Sequence, residues 1–283
     1  SDLPKELLSK WFYQCMFGIN VACIHLSATS QTGRRKRDYP PTFSYHLNWF
    51  REMPYFTGAM KKMAECAVGK TQANVLVINP ITSYFTGYRP GGEFIDPRLS
   101  AISTHYRMLL ETLAEIGIGF DIGDEFIMKK YARIEDGKIF VGDKKYSAVI
   151  IPDCDNLMGS TLDLIEKSAA LGGKVFVTEN APYLIDGKRN EKVKKLFEGG
   201  IVQGLCVRSA AIRRTLKEHG IETRVTISDG GGKNAKNCLI NVIEAGKGDR
   251  VFIKNTVDER RKLTVKYLGN VYEVELEGLS GAI

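Results

Sequence analysis

Residues 74–184 alternate between two hydrophobic patterns, and this alternation limits the folds that are open to the chain. Short apolar runs of strand length, such as Val75–Ile78 and Lys174–Thr178, are separated by longer stretches with helical spacing, such as residues 99–116. Strands that alternate with helices are typical of a doubly wound α/β sheet, in which helices cover both faces. The sequence therefore predicts an α/β domain over residues 74–204.

The residues before this domain do not contain the elements of a complete domain. Residues 7–17 have helical spacing, and residues 19–26 form a continuous apolar run, as in strands that are buried on both faces. A polar loop over residues 27–43 and an aromatic-rich helical pattern over residues 44–66 follow. We expect residues 1–73 to be the closing portion of a larger domain.

The residues after the α/β domain have a different pattern again. Residues 208–220 have helical spacing, and the rest of the tail is rich in β-branched residues. Four strand patterns are separated by Gly or charged turns, at residues 239–244, 250–255, 262–267 and 271–276. This pattern predicts that residues 205–283 form a helical linker and a partial β-sandwich.

Composition limits the classes of partner. The net charge is +7, but the basic residues are scattered apart from the runs at 34–37 and 260–262, and aromatic residues do not interleave with either run. No apolar run approaches the length of about 20 residues that spans a bilayer. We therefore expect neither a nucleic-acid partner nor a membrane partner.

The six cysteines favour a reducing compartment. They are widely spaced and form no CxxC pair, so the sequence predicts neither a zinc site nor a disulfide scaffold. The first residues lack the basic start and apolar segment of a secretory signal. We expect reduced thiols and a cytoplasmic location.

Signatures of phosphate binding and of nucleophilic catalysis are missing from the α/β domain. Neither GxGxxG nor GxxxxGK[ST] occurs. Cys154 follows a predicted strand, but a catalytic cysteine needs a base, and Asp153 and Asp155 would raise the pKa of its thiol. Among the histidines only His105 lies in this domain, on a helix with no evident route to Cys154. A Cys-dependent hydrolase is therefore the least favoured hypothesis.

Acidic residues follow two of the predicted strands. Asp121, Asp124 and Glu125 follow one strand, and Asp153 and Asp155 follow another. Paired carboxylates serve in glycoside hydrolysis or bind hard cations, but acidic residues also cap helices and turns at such positions. We favour the capping interpretation and predict no catalytic residue, no cofactor site and no metal site in this chain.

The N-terminal portion offers three candidate substrate-binding residues. His25 lies at the carboxyl end of a predicted buried strand, where polar side chains of a barrel face the active site. The loop that follows carries Arg37 and Asp38 and leads into an aromatic-rich stretch. Charged hydrogen-bonding groups beside aromatic faces are typical of sugar sites. We therefore predict that His25, Arg37 and Asp38 contact a carbohydrate substrate.

With these residues in view, the chain resembles large bacterial glycoside hydrolases related to the rhamnosidases of family 106 and the β-galactosidases of family 42. The segments that carry the resemblance are residues 17–27, 33–41, 75–83, 120–125, 149–152 and 251–256. In such enzymes a catalytic (β/α)8 barrel precedes a flavodoxin-like domain shaped like class I glutamine amidotransferases, and β-sandwich domains follow. The resemblance implies that residues 1–73 end the barrel and that residues 74–204 form the amidotransferase-like domain.

The resemblance also implies a division of function. An amidotransferase has its nucleophilic cysteine in a Gly-flanked elbow after a late strand, whereas this chain has Glu179, Asn180, Ala181 and Pro182 there. The domain would then be non-catalytic and serve packing or homo-oligomerisation, as a domain of this shape does in family 42. The catalytic carboxylates of the parent would precede residue 1. A stand-alone small-molecule-binding or assembly module is the alternative.

Overall fold

The computed structural model describes residues 4–24, 32, 43, 45–90, 96–191, 193, 196, 202–246 and 248–283. The chain divides into two compact units. One unit comprises Ser1–Thr71, Ser228–Thr264 and Glu273–Ile283, and the other comprises Gln72–Ile227 and Val265–Tyr272. Among the described residues, no helix combines the length and the apolar character that crossing a membrane requires.

The α-helices of the described residues vary from about two to about five turns. They are α1 (Pro4–Met16), α2 (Met53–Cys66), α3 (Ile81–Gly87), α4 (Pro97–Glu115), α5 (Glu125–Tyr131), α6 (Gly159–Ala170) and α7 (Ser209–Glu218). A single 3₁₀ turn over Phe50–Glu52 leads into α2.

The strands of the described residues are mostly short. They are β1 (Lys70–Thr71), β2 (Val75–Ile78), β3 (Phe120–Gly123), β4 (Ala132–Glu135), β5 (Lys138–Val141), β6 (Lys144–Tyr146), β7 (Ala148–Ile151), β8 (Asn156–Leu157), β9 (Lys174–Thr178), β10 (Leu184–Ile185), β11 (Lys188–Arg189), β12 (Gln203–Leu205), β13 (Val225–Asp229), β14 (Cys238–Glu244), β15 (Arg250–Asn255), β16 (Arg261–Tyr267), β17 (Asn270–Leu276) and β18 (Gly281–Ala282).

The second unit contains a parallel sheet with the order β12-β9-β7-β2-β3. Numbered by their succession in the chain, these strands have the order fifth, fourth, third, first, second. The chain therefore reverses direction across the sheet between β2 and β7. In open α/β sheets, ligands bind beyond the carboxyl ends of the strands at such a switch point.

Both faces of this sheet are buried, as the apolar strand patterns predict. In β2, Leu76 and Ile78 belong to one core cluster, whereas Val75 and Val77 belong to another, because successive side chains of a strand point to opposite faces. Helices α5 and α6 contribute to the first cluster, and α4 and α7 contribute to the second. The predicted α/β sheet with helices on both faces is confirmed.

A three-stranded antiparallel sheet, β4-β5-β6, is inserted between β3 and β7. Its first turn contains Asp136 with φ 49° and Gly137 with φ 74°. Two positive φ values define the turn that matches the twist of paired strands, and Asp-Gly is a preferred sequence for it. Asp136 and Gly137 therefore close the hairpin between β4 and β5.

The first unit is built on an antiparallel sheet with the order β1-β14-β15-β18. Helix α1 packs against it, with the rings of Phe12 and Phe252 5.7 Å apart at their centroids. The indole of Trp11 also donates a hydrogen bond to the carbonyl of Met60, which joins α1 to α2 at 3.0 Å.

The four predicted strands of the tail are present, but they belong to two different sheets. Strands β14 and β15 pair with each other, whereas β16 and β17 belong to a sheet with the order β13-β16-β17. Strand β13 has no counterpart in the prediction.

The predicted strand over residues 19–26 is wrong for the part that the structure describes. Residues 19–24 form no strand. Ile19, Val21 and Ile24 are exposed by 48%, 78% and 48%. An apolar run indicates a need for burial, but a strand forms only where neighbouring strands satisfy its backbone groups.

Candidate functional site

The carboxyl ends of β7 and β9 carry a connected group of charged and polar side chains around Asp153. Asp153 follows β7 by two residues, and its side chain is fully buried. Its carboxylate accepts four hydrogen bonds, from Arg98, His105 and Asn180. We call these four residues, together with Asp155, the Asp153 cluster.

Helix α4 supplies two of the hydrogen-bonding partners of Asp153. The Asp96 carboxylate accepts from the backbone N–H of Arg98 and caps the helix, and Pro97 starts it. Arg98 and His105 lie seven residues apart, which places them on one face of the helix, two turns from each other.

The guanidinium of Arg98 is bound to two carboxylates. Its Nη1 and Nη2 each donate to Asp153 at 2.7 Å, and its Nε donates to Asp155 at 2.8 Å. Bidentate pairs of this kind combine charge with fixed geometry. Hydrogen bonds to Asp153 raise the pKa of Arg98, although partial burial opposes the effect. Arg98 is therefore a fixed positive charge within the cluster.

Asp153 is ionised within this network. Burial alone would raise the pKa of Asp153, but hydrogen bonds from Arg98, His105 and Asn180 outweigh it and hold the pKa below its usual value. Because an ionised carboxylate only accepts hydrogen bonds, the Nδ1 of His105, 2.7 Å away, must carry a proton. In the neutral form of the imidazole, Nε2 is then the acceptor.

The turn after β9 brings Asn180 to the same carboxylate, at 3.2 Å. Glu179, directly before it, has φ 38°, a left-handed conformation that non-glycine residues seldom adopt. Glu179 and Asn180 are both exposed. The turn therefore holds a strained residue at the carboxyl edge of the sheet.

Cys154 lies beside the cluster but belongs to the hydrophobic core. Its side chain is inaccessible to solvent and packs within the core cluster that includes Leu76 and Ile151. Burial raises the pKa of its thiol well above the usual value, and the carboxylates of Glu125, Asp153 and Asp155 raise it further. Burial is thus a larger cause than the flanking aspartates, which are the only cause that the sequence indicates. The group is a thiol rather than a thiolate nucleophile.

A second buried carboxylate, Glu125, stabilises the neighbouring loops. The hydroxyl of Thr82 donates to it at 2.6 Å, and the backbone N–H of Met158 donates at 2.7 Å. Burial raises the pKa of Glu125, and these hydrogen bonds oppose the effect. The hydroxyl of Ser83 accepts from the backbone N–H groups of Asp155 and Asn156 at 3.0 and 3.1 Å. The start of α3 is thereby joined to the loop after β7.

The other acidic residues in β3 and directly after it have separate roles. The Asp121 carboxylate accepts from Lys144 at 2.7 Å and from the Tyr146 hydroxyl at 2.9 Å. Asp124 caps α5 by accepting from the backbone N–H groups of Phe126 and Ile127. The capping interpretation is confirmed for Asp124. Each of the three carboxylates has its own set of donors, as structural groups do.

The three predicted substrate-binding residues, His25, Arg37 and Asp38, lie outside the described residues, so their role stays a prediction. Sequence reasoning missed Arg98 and Asn180, and it judged His105 only against Cys154. One signal was present: an arginine directly before a predicted helix and a histidine on that helix seven residues later, in a domain with an aspartate just after a strand. Such spacing identifies a shared helix face but not the partner of that face.

Comparison with known proteins supports the fold. No protein-family model and no curated protein sequence matches the chain. A rhamnosidase structure from Novosphingobium sp. PP1Y matches with a TM-score of 0.64 and 13% identity, over 99% of this chain and 29% of that chain. A catalytic mutant of a GH42 β-galactosidase from G. stearothermophilus matches with a TM-score of 0.68 and 11% identity, over 99% of this chain and 50% of that chain.

These two structures confirm the predicted resemblance at the level of the fold. At 11% and 13% identity the similarity concerns the fold alone. The chain spans at most half the length of the chains that it matches.

Proposed function

We propose that this chain is a non-catalytic structural or oligomerisation region of a carbohydrate-active glycoside hydrolase. The observation that carries the proposal is the length of the match. Two enzymes with glycosidase names each contain a stretch with the fold of 99% of this chain. A match to the α/β unit alone would say little, because doubly wound sheets serve many unrelated functions.

The strand order supports a flavodoxin-like, amidotransferase-shaped identity for the second unit. The first strand lies between the second and the third, as in flavodoxin-like sheets. In an amidotransferase the nucleophile occupies a strained turn after a late strand. Here Glu179, with its positive φ, occupies the turn after β9. The proposal is that the strained turn persists while the nucleophile is replaced.

The burial of Cys154 supports the non-catalytic proposal. A thiol with no solvent exposure cannot meet a substrate, and its raised pKa opposes ionisation. Both features argue against a Cys-dependent hydrolase.

The exposed apolar segment supports the proposal that residues 1–73 end a catalytic barrel. Ile19, Val21 and Ile24 are all exposed, although their pattern is that of a strand buried on both faces. In the proposed parent, the neighbouring barrel strands cover this segment. His25, Arg37 and Asp38 would then line the rim of the carbohydrate site.

The coding sequence upstream of residue 1 and a hydrolysis assay together test the proposal. We expect the upstream sequence to encode alternating strands and helices, with Glu or Asp at strand ends. The longer product should hydrolyse nitrophenyl glycosides, and the 283-residue chain should not. An upstream sequence without such strands contradicts the proposal. So does hydrolysis by the chain alone that is lost in Cys154→Ala, which would establish the cysteine-dependent mechanism.

A further inference from the structure

The Asp153 cluster presents three planar side chains that are fixed on one edge and accessible on the other. Asp153 is fully buried, whereas the side chains of Arg98 and His105 are 34% and 37% exposed, and Asn180 is also exposed. A buried carboxylate that orients several exposed planar groups is a common way of preorganising a binding surface. Because the groups are already ordered, binding a ligand costs little side-chain entropy.

The hydrogen-bond inventory shows which groups remain for a ligand. Asp153 has no capacity left, because four N–H groups occupy its two oxygens. His105 uses Nδ1, and within the described part of the chain its Nε2 has no partner. Asn180 uses one N–H, which leaves its carbonyl oxygen and its second N–H. The accessible surface thus offers both acceptors and a donor.

An exposed tyrosine is joined through its backbone to the loop that carries Asp155. The backbone N–H of Tyr183 donates to the carbonyl of Asp155 at 3.1 Å, and Arg98 binds the side chain of the same aspartate. Tyr183 is 51% exposed. An aromatic face beside planar hydrogen-bonding groups suits a ligand that has both an apolar C–H surface and hydroxyls.

The charges of this surface select against anions. Within the Asp153 cluster, the two carboxylates of Asp153 and Asp155 are opposed by the guanidinium of Arg98, which both already bind. A phosphate or a free carboxylate would meet net repulsion. A neutral polyhydroxylated ligand, whose hydroxyls donate and accept, meets no such penalty.

We propose that His105, Asn180 and Tyr183 form a binding site for a neutral sugar ring at the carboxyl edge of the parallel sheet. Asp153 and Arg98 position these groups. The ring of Tyr183 packs on the C–H face of the sugar, while His105 Nε2 and the Asn180 amide bind hydroxyls. The site shares only the class of ligand with the proposed function, because it lies on the α/β unit rather than on the proposed barrel.

Nuclear magnetic resonance titration of the ¹⁵N-labelled chain tests the proposal. The probes are D-galactose, L-rhamnose and D-glucose, with inorganic phosphate as the anionic comparison. The His105 imidazole signals are assigned with His105→Gln. We expect at least one sugar to shift the His105 Nε2 signal and the amide signals of Asn180 and Tyr183 in a saturable manner.

Two tyrosine variants separate a ring contact from a general effect. Tyr183→Ala should weaken the sugar affinity about tenfold, the contribution of one aromatic contact. Tyr131→Ala is the matched control, because Tyr131 is also 51% exposed, and it should leave the affinity unchanged. The amide spectrum of each variant verifies that it folds.

Three results would overturn the proposal: no saturable shift with any of the sugars, binding of phosphate in place of sugar, or an equal loss in both tyrosine variants. None of them bears on the role proposed for the whole chain, which depends on the upstream sequence and the hydrolysis assay. Conversely, a parent without glycosidase activity would contradict the proposed function. It would not change what the sugar titration shows about this site.

Discussion

The environment of Asp153 shows how a single residue determines the arrangement of a whole surface. Its side chain lies behind Arg98, His105 and Asn180, so no ligand touches it, yet all three are oriented by it. A buried carboxylate is costly unless it is paired and hydrogen-bonded, and here four donors satisfy it. Its role is that of a positioning residue.

Replacing Asp153 with asparagine should destabilise the α/β unit by about 3 kcal/mol, because removal of one member of a buried ion pair leaves the other uncompensated. The amide NH₂ of asparagine would face N–H donors on one side of the carboxylate position, and two of the four hydrogen bonds would be lost. Urea denaturation at neutral pH measures the change in the free energy of unfolding. Asp163→Asn, at an exposed position on α6, is the control, and it should change that free energy by less than about 0.5 kcal/mol.

The sign of the pH dependence follows from the lowered pKa of Asp153. A carboxyl whose pKa is lower in the folded state contributes stability that is complete above its unfolded pKa, about 3.9. This stability is lost as the pH falls through the folded pKa. The difference between the natural chain and Asp153→Asn should therefore stay constant down to about pH 4 and shrink below it. A difference that is absent at neutral pH would contradict the role given to Asp153.

Individual residues at the site were only partly predictable from the sequence. The inert state of Cys154 follows from its neighbours and from its place after a buried strand. The contact between His105 and Asp153 does not, because these residues are 48 positions apart and meet only when α4 packs on the sheet. Residue types and helix periodicity are properties of the sequence, whereas the register between a helix and a sheet is a property of the packed core.

At the scale of elements, the start of β3 depends on close backbone contact at Gly119. Its carbonyl accepts from the N–H groups of Asn74 and Val75 at 3.1 and 3.3 Å. A Cβ at this position would lie 1.6 Å from the carbonyl oxygen of Gln72. Because that atom belongs to the backbone, it cannot rotate away as a side chain would.

Gly119→Ala should therefore destabilise the α/β unit by about 3 kcal/mol, the upper part of the usual range for overpacking. Gly204→Ala is the matched control, because Gly204 also lies in the parallel sheet and a Cβ there meets no atom within 4 Å. The control should be neutral or slightly stabilising, since alanine restricts the unfolded chain. Thermal denaturation of both variants measures the difference, and equal melting temperatures would refute the steric argument.

Elements with strong patterns were predictable, and those defined by tertiary contacts were not. The predicted bounds of β9 and β15 agree with the structure, because each is a clear apolar run between turns. Helix α5 was missed, since seven residues are too few to establish a helical period. The apolar run at residues 19–24 was misassigned for the opposite reason. Its pattern is strong, but it lacks strand neighbours among the described residues.

At the scale of the whole molecule, packing does not follow the order of the chain. Strand β1 pairs with β14, and α1 packs on β14 and β15, so the N-terminal residues share a unit with the tail. The predicted boundaries at residues 73 and 204 are based on changes of pattern along the sequence. They stay a prediction, since a pattern indicates where an element type changes and not which distant strand completes a sheet.

The α/β unit also carries an apolar surface that favours self-association. Phe85 and Phe126 have ring centroids 6.5 Å apart and are exposed by 65% and 54%. Ile127, which follows Phe126, and Ile122 are about half exposed, and Ile122 belongs to β3, the edge strand of the parallel sheet. Exposed apolar patches mark association sites, and an open sheet edge adds unpaired backbone groups.

If oligomerisation is the function of this unit, replacing both rings should dissociate the assembly. We expect the chain to sediment as a concentration-dependent oligomer, and the Phe85→Ser/Phe126→Ser variant to sediment as a monomer at the same concentrations. Leu171→Ser, which removes an apolar side chain that is 62% exposed at the end of α6, controls for loss of surface hydrophobicity in general and should leave the assembly intact. If the chain is monomeric at all concentrations, or if the assemblies of both variants dissociate equally, this surface does not mediate assembly.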